Sequence, residues 1–195
     1  MTAKQKDPAL LAPERIDIRR MVVRIVGDSP LICHRWSDKA RRSMLDKQMQ
    51  RGTQPKGAKD PAQDYEESIY RLPDGSPGFP ATGIKASAIR GAKALGMTMA
   101  DMRAAWHIDG DILPIDGDPQ PREDMVRIGR GVADVRFRAE FPSWSVLLPI
   151  SYNARMVSAE QVVAMLDAGG FGTGIGEWRP EKGGQFGRFH TESAK

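Results

Sequence analysis

"VADVRFRAEFPSWSVLLPISYN", residues 132–153, carries the clearest β signal in the chain. In 132–141, Val135, Phe137, Ala139 and Phe141 alternate with Asp134, Arg136, Arg138 and Glu140. In 144–152, Trp144, Val146, Leu148, Ile150 and Tyr152 alternate with smaller or polar residues. Alternation of period two marks a strand with one buried face. Only Pro142 and Ser143 separate the two runs, so the spacing predicts an antiparallel hairpin with one buried side. Pro149 has no amide proton to give a ladder, which places the second strand at an edge or at a bulge.

Downstream, "SAEQVVAMLDAGG" reads as a complete helix. Ser158 and Gln161 form a capping box, Ala159, Val162, Val163 and Leu166 make the inner stripe, and Gly169 is the expected C-cap. "QFGRFH" (185–190) follows as a last strand. Upstream, the β-branched run at 16–26 predicts a first strand, closed by the turn Gly27-Asp28-Ser29-Pro30. Ser37 caps a helix over 37–50 whose apolar stripe (Ala40, Met44, Leu45) is narrow and whose wet side carries Lys39 and Arg42. Residues 51–63 have no periodicity and read as a mobile loop, and "ESIYRL" (67–72 or its neighbours) as a short strand. In "FPATGIKASAIRGAKAL" (79–95), Ile84, Ala88, Gly91, Ala92 and Leu95 share a helical face. Small residues at 86, 88, 91 and 92 let that helix press close to its support. Short apolar runs between "DGD" turns at 106–128 predict small strands or an inserted hairpin.

This order sums to an α+β fold. The best fit is a ferredoxin-like, RRM-related antiparallel sheet with two packed helices and an inserted β-rich segment at about 97–130. A chain of 195 residues suits a single domain over 15–195, behind a flexible arm at 1–14.

The isoelectric point near 9.3 reflects an uneven charge. Eight Lys/Arg face two Asp between Arg35 and Lys59, whereas 109–124 is acid-rich. A basic patch on a nearly balanced chain points to a polyanionic partner or to a plain solvated face. Cys33 is the only cysteine, which rules out an intramolecular disulfide and suits a reducing, cytoplasmic setting. No run approaches the roughly 20 apolar residues of a membrane span, and the N-terminus lacks an apolar signal core. The acids at 109–124 miss the calcium-loop spacing and are explained by turns, so neither metal nor cofactor is expected.

The chemistry concentrates in "GTGIGEWRPEKGGQFGRF", residues 172–189. It is neither a dinucleotide fingerprint nor a phosphate loop, because it follows a helix and precedes a strand, and no GK[ST] occurs. Glycine here admits phosphates to backbone amides; Arg179, Lys182 and Arg188 pair them, and Trp178, Phe186 or Phe189 stack bases. The competing reading is a tight turn with its aromatics packed inward. His34, beside Cys33, Arg35 and Trp36, is the one histidine placed to act as a general base in metal-free RNA cleavage, or else to contact ligand. Cys33 itself reads as a buried small hydrophobe.

Two stretches in the expected order resemble the CRISPR-associated RAMP superfamily. "FPATGIKASAIRGA" (79–92) is similar to its proline-led helix entry bearing a Lys and an Arg, and "GIGEWRPEKGGQFGRF" (174–189) to its C-terminal glycine-rich loop. Ala86 and Ser87 depart from the usual Lys-Gly pairing. The whole chain also resembles a small tailed-phage protein, a likeness that implies no function. The RAMP resemblance implies binding of single-stranded RNA, or ssDNA, with members that are helical filaments or metal-independent endoribonucleases. By position it places Lys85 and Arg90 in the groove and Gly174, Gly176, Arg179, Lys182, Gly184, Gly187 and Arg188 in the loop. The expected function is non-catalytic strand binding through that loop and the basic helices (Arg35, Lys39, Arg42), with little base readout, as a monomer or a homo-oligomer. Cleavage with His34 as base, or a protein-interaction module or inhibitor on the same fold, are the alternatives.

Overall fold

A computed structural model describes residues 15–52, 58–128 and 131–192. The arm expected over 1–14 and residues 53–57 of the expected loop lie outside them. Strand β1 (Ile18–Gly27) turns Val23 and Ile25 into the core and leaves Val22 and Arg24 outside. Then come β2 (Leu31–Cys33), α1 (Asp38–Gln48), α2 (Pro61–Ser68), β3 (Tyr70–Arg71), β4 (Pro77–Pro80) and the long α3 (Ala81–Ala94). After it run α4 (Met99–Ala105), β5 (Trp106–Ile108), β6 (Ile112–Asp116), β7 (Gln120–Ile128) and β8 (Val132–Phe141). The chain ends in β9 (Ser145–Asn153), α5 (Ala159–Gly172), a 3-10 turn at Pro180–Lys182 and β10 (Phe189–Thr191).

The main sheet runs β10-β1-β9-β6-β4-β3, with β5 also paired to β9. β5 and β6 lie end to end along β9 as one interrupted strand. Taking β1, α3, β5/β6, β9, α5 and β10 as the frame gives a βαββαβ chain with strand order four-one-three-two, every pair antiparallel. That is the ferredoxin-like arrangement, so the α+β class read from the sequence is the observed one. A second sheet, β2-β8-β7, stands beside it. The glycines of α3 and α5 let these two helices meet at backbone distance: a Cβ on Gly91 would lie 2.5 Å from the Gly169 nitrogen.

The expected hairpin at 132–153 is corrected. Both strands exist, but they belong to different sheets: β8 pairs with β7 and β2, and β9 with β1 and β5/β6. A two-residue hairpin needs backbone at positive φ, which Pro142-Ser143 does not supply. The chain instead crosses between sheets and drops Trp144 into the seam. Its indole donates to the Ser29 carbonyl at 2.9 Å and meets Phe189 edge-on at 6.1 Å. Pro149 therefore sits in a central strand. Its carbonyl accepts from the Asp109 amide, so its missing donor points to the same side, where the partner strand is broken between β5 and β6.

Three further expectations change. The stretch expected as loop to residue 63 already contains the start of α2, where Asp60 Oδ1 accepts from the Ala62 and Gln63 amides and Pro61 opens the first turn. That helix takes Glu67 and Ser68 from the expected strand, leaving only Tyr70 and Arg71 paired to β4. Gly169 is not a cap: α5 runs on to Gly172 and Thr173 ends it. The Ser158–Gln161 capping box and the Ser37 cap of α1 are both present.

Candidate nucleic-acid interface

Beyond α5 the glycine-rich loop folds back on itself. The Ile175 amide donates to the Gly187 carbonyl at 2.9 Å, Phe186 to Trp178 at 3.1 Å, and Glu177 to Ile32 of β2 at 3.0 Å. A Cβ on Gly187, at φ +65°, would fall 1.8 Å from the Ile175 oxygen, so only glycine fits. The amides of Gly174, Gly183, Gly184 and Gly187 all donate to backbone carbonyls. The expectation that bare glycine amides seat phosphates is corrected: glycine serves close backbone packing here, and side chains are left to meet a ligand.

The loop's aromatics divide. Phe189 is 1% exposed and packed on Trp144, and Phe186 lies beneath the Arg122 guanidinium at 4.7 Å. Phe189 is closed to a base, and one face of Phe186 is occupied by Arg122. Trp178 stays 41% exposed and holds φ +52°, a left-handed conformation an aromatic residue adopts only when its surroundings force it.

One cation of the loop, Arg179, turns toward α3. Arg179 Nη1 donates to the Gly176 carbonyl at 2.9 Å, and its Nε and Nη2 reach Glu181 Oε2 at 3.0 and 2.9 Å. Arg90 Nε meets the other Glu181 oxygen at 2.9 Å. One carboxylate thus clasps two guanidinium groups at the rim of a 320 Å³ cavity whose lining includes His34, Gly174 and Gly176. Thr82 and Gly83 of the first turn of α3 line it too. That turn has neither a side-chain cap nor an acidic residue, so the positive end of the helix dipole faces the cavity.

The remaining expected residues separate. Lys85 does not join the groove. Its Nζ donates to the Arg103 carbonyl at 2.9 Å, lies 3.2 Å from His107 Nδ1 and 5.7 Å from the centre of the Trp106 ring. Burial there lowers its pKa. Arg188 lies on the other limb of the loop with Nε toward the Gln185 carbonyl, lining neither cavity described here. Lys182 and Gly184 sit at the loop's outer turn, Lys182 exposed. Arg35 Nε donates to the Glu67 carbonyl at 3.1 Å on the wall of a second cavity, of 460 Å³. Trp36, 54% exposed, stands on that wall. Arg42 is exposed on α1, and the Lys39 side chain lies outside the described atoms. His34 lines both cavities and joins them.

Sequence reading passed over Glu177, Glu181, Trp36 and Arg138. Arg138 alternates with apolar residues and was expected to face water, yet it is 2% exposed. Its guanidinium lies 3.3 Å from Asp124 and 3.7 Å from Glu177, while Nε has no partner among the described residues. Both faces of β8 are covered here: Ala139 packs into the core, and Arg138 lies against Asp124 of β7 and Glu177 of the loop.

Glu177 also faces His34, with Oε1 3.7 Å from Nδ1. The His34 ring, then Arg138 and Arg136 behind it, hold this carboxyl below the usual carboxylate range, against burial acting the other way. A carboxyl with a lowered folded pKa stabilises fully above its unfolded value, about 4.3, and loses that contribution as pH falls through the folded value. Chemical unfolding between pH 6 and 2 is expected to show an acid limb that is shallower in Glu177→Gln. Asp134, lowered mainly by Lys59, and Asp74, lowered by Ser76, keep part of the limb in place. An identical limb in the variant would remove Glu177 from this account.

Cys33 is buried, and that burial pushes its thiol up to about 12, which suits a core residue. Among the described residues no group of three or more His, Cys, Asp or Glu could hold a metal ion. None of the described helices is long and apolar enough to cross a membrane.

Together these features define a ferredoxin-like α+β protein with two cavities that share His34 beside a glycine-rich loop. No family and no curated protein matches the sequence. In three dimensions the chain is similar to Cmr6 from Pyrococcus furiosus, at 8% identity and a TM-score of 0.44, over 91% of this chain and 100% of that one. It is also similar to two Cas6 product complexes, each at 14% identity and over 88% of this chain, with TM-scores of 0.32 and 0.30. This chain spans about half the length of those two, 51% and 50%.

Proposed function

We propose that this chain binds single-stranded nucleic acid, RNA or ssDNA, along the trough that passes from the Arg90–Arg179 cavity across His34 to the cavity beside Trp36. The observation that carries this reading is that two arginine-walled cavities share His34 in their walls, with the half-exposed Trp36 lining the second. Strand binders of low sequence preference combine a cationic groove for the phosphates with aromatic faces for the bases. Arg90 and Arg179 supply guanidinium forks suited to phosphate oxygens. Glu181 holds both in place until a phosphate competes for them. The basic side of α1 extends the same field outward.

The experiment is a salt titration of affinity for a labelled single strand. For single strands the log–log slope is about 0.7 per phosphate neutralised. Arg90→Gln with Arg179→Gln is expected to weaken binding and lower the slope by about 1.4. Unchanged affinity and slope in a variant that unfolds at the wild-type temperature would place the strand elsewhere. A chain that retards no strand at low salt would instead fit a protein-interaction module.

A further inference from the structure

The two cavities differ in how their charges are paired, and the difference indicates what each holds. Around the first, Arg90 and Arg179 share the Glu181 carboxylate, and the acid on its wall, Glu177, is paired with Arg138 and His34. Around the second, Arg35, Lys59 and Arg136 are matched by Asp64, Glu67 and Asp134. Asp134 alone engages both Lys59 and Arg136, and Lys59 also donates to the Val135 carbonyl. A balanced cavity gains little from a phosphate. Its 460 Å³ falls in the range of small-molecule sites. Its open wall carries the half-exposed Trp36 indole, and its lining includes Phe137. That combination suits a flat, neutral ring with directional polar edges.

The edge is specified by α2. Asp64 and Glu67 lie three residues apart on one helical face, half-buried, and both line the cavity. Gln63 Nε2 donates to Glu67 Oε1 at 2.9 Å and holds that carboxylate, leaving its second oxygen available. Asp64 has no side-chain hydrogen bond among the described residues. The Ser68 hydroxyl beside them is already engaged, donating to the Tyr65 carbonyl and accepting from the Ala139 amide. On the α2 wall of the cavity the groups left to meet a ligand are therefore the two carboxylates. A carboxylate accepts two parallel N–H bonds, and among the common bases only guanine presents adjacent donors, N1–H and the N2 amino group. Adenine and cytosine place an acceptor nitrogen beside their amino group, and uracil flanks its single imino donor with two carbonyls.

We propose that the cavity beside Trp36 is a single-base site that takes a guanine, stacked on Trp36 and held at its Watson–Crick edge by the carboxylates of α2. This rests on the single-strand reading, and adds one position of base preference to a trough otherwise read through the phosphates. The test uses uridine oligomers of equal length that carry one central guanosine, inosine or adenosine, alongside the all-uridine strand. The guanosine strand is expected to bind about tenfold more tightly than the adenosine and all-uridine strands, in the range of one bidentate base contact. Inosine lacks the N2 amino group and is expected to fall between. Asp64→Asn with Glu67→Gln should flatten the guanosine-to-adenosine ratio. Separately, guanosine monophosphate should quench tryptophan emission in the wild-type chain and not in Trp36→Phe. Four strands bound equally tightly would overturn the guanine site and leave the single-strand reading standing. Quenching by the mononucleotide with no strand bound would do the reverse, and neither effect would remove both.

Discussion

Gly91→Ala is expected to destabilise this protein, although alanine is the better helix former. In an exposed helix the exchange stabilises by about 1 kcal/mol. At position 91 the new methyl would lie 2.5 Å from the Gly169 nitrogen and 2.6 Å from the Met165 carbonyl oxygen. Both are backbone atoms of α5, which no rotamer change can move aside. The contact is reciprocal: a Cβ on Gly169 would meet the Ser87 carbonyl oxygen at 2.4 Å, and the Ser87 hydroxyl donates to the Gly169 carbonyl at 2.9 Å. Alanine must therefore separate the two helices that cover the main sheet. Overpacking of this kind costs about 1–3 kcal/mol, and more where the backbone must shift. A net loss of about 2 kcal/mol would lower the thermal midpoint of a chain this size by roughly 4–8 °C. Gly91→Val should unfold it further. A raised midpoint in Gly91→Ala would mean that the helices tolerate separation and that their close approach is not what sets the fold.

Arg138→Ala is expected to cost more, about 3–5 kcal/mol, the usual consequence of removing one member of a buried ion pair. The loss comes from what remains. Asp124, only 10% exposed, would keep Arg122 at 2.9 Å but lose its second cation, and Glu177 would lose the one behind it. Arg138 itself is not an optimised contact, since Nε is buried without a partner among the described residues. Arg138→Met with Asp124→Leu should accordingly recover most of the stability, because an apolar set of similar volume avoids desolvating charge. Urea unfolding of the two variants tests this, and wild-type stability in Arg138→Ala would overturn it. The same substitutions reach the trough. Glu177 connects Arg138 to His34, so loosening it frees the residue that joins the two cavities.

The glycine-rich loop shows how glycine spacing can mark a place in the chain without giving the reason for it. Its arginine does reach a cavity, and its tryptophan does stay open. The phenylalanines do not, because Phe189 plugs the seam under Trp144 and Arg122 covers Phe186. Glycine spacing reports only where a side chain is intolerable. It does not say whether the atom that excludes the side chain belongs to a ligand or to the chain's own backbone, and here it is the Ile175, Trp178 and Ile32 carbonyls. Lys85 and Arg90 make the same point on one helix. They lie five residues apart and therefore on different faces, so one meets His107 and the other the loop.

What the sequence by itself determined was local: the strands at 132–141 and 144–152, seen as β8 and as β9 one residue further on, the capped helix behind Ser158, the small-residue face of α3, and the α+β class that their order implies. Each rests on interactions spanning a few residues, where periodicity and capping chemistry act directly. Which strand lies beside which, that Arg138 is buried, and that His34 lines both the Trp36 cavity and the Arg90–Arg179 cavity were decided only by the tertiary structure. Several of those contacts join segments more than a hundred residues apart, as β1 with β9 and His34 with Glu177. They depend on how whole faces fit together, which no short window of sequence encodes.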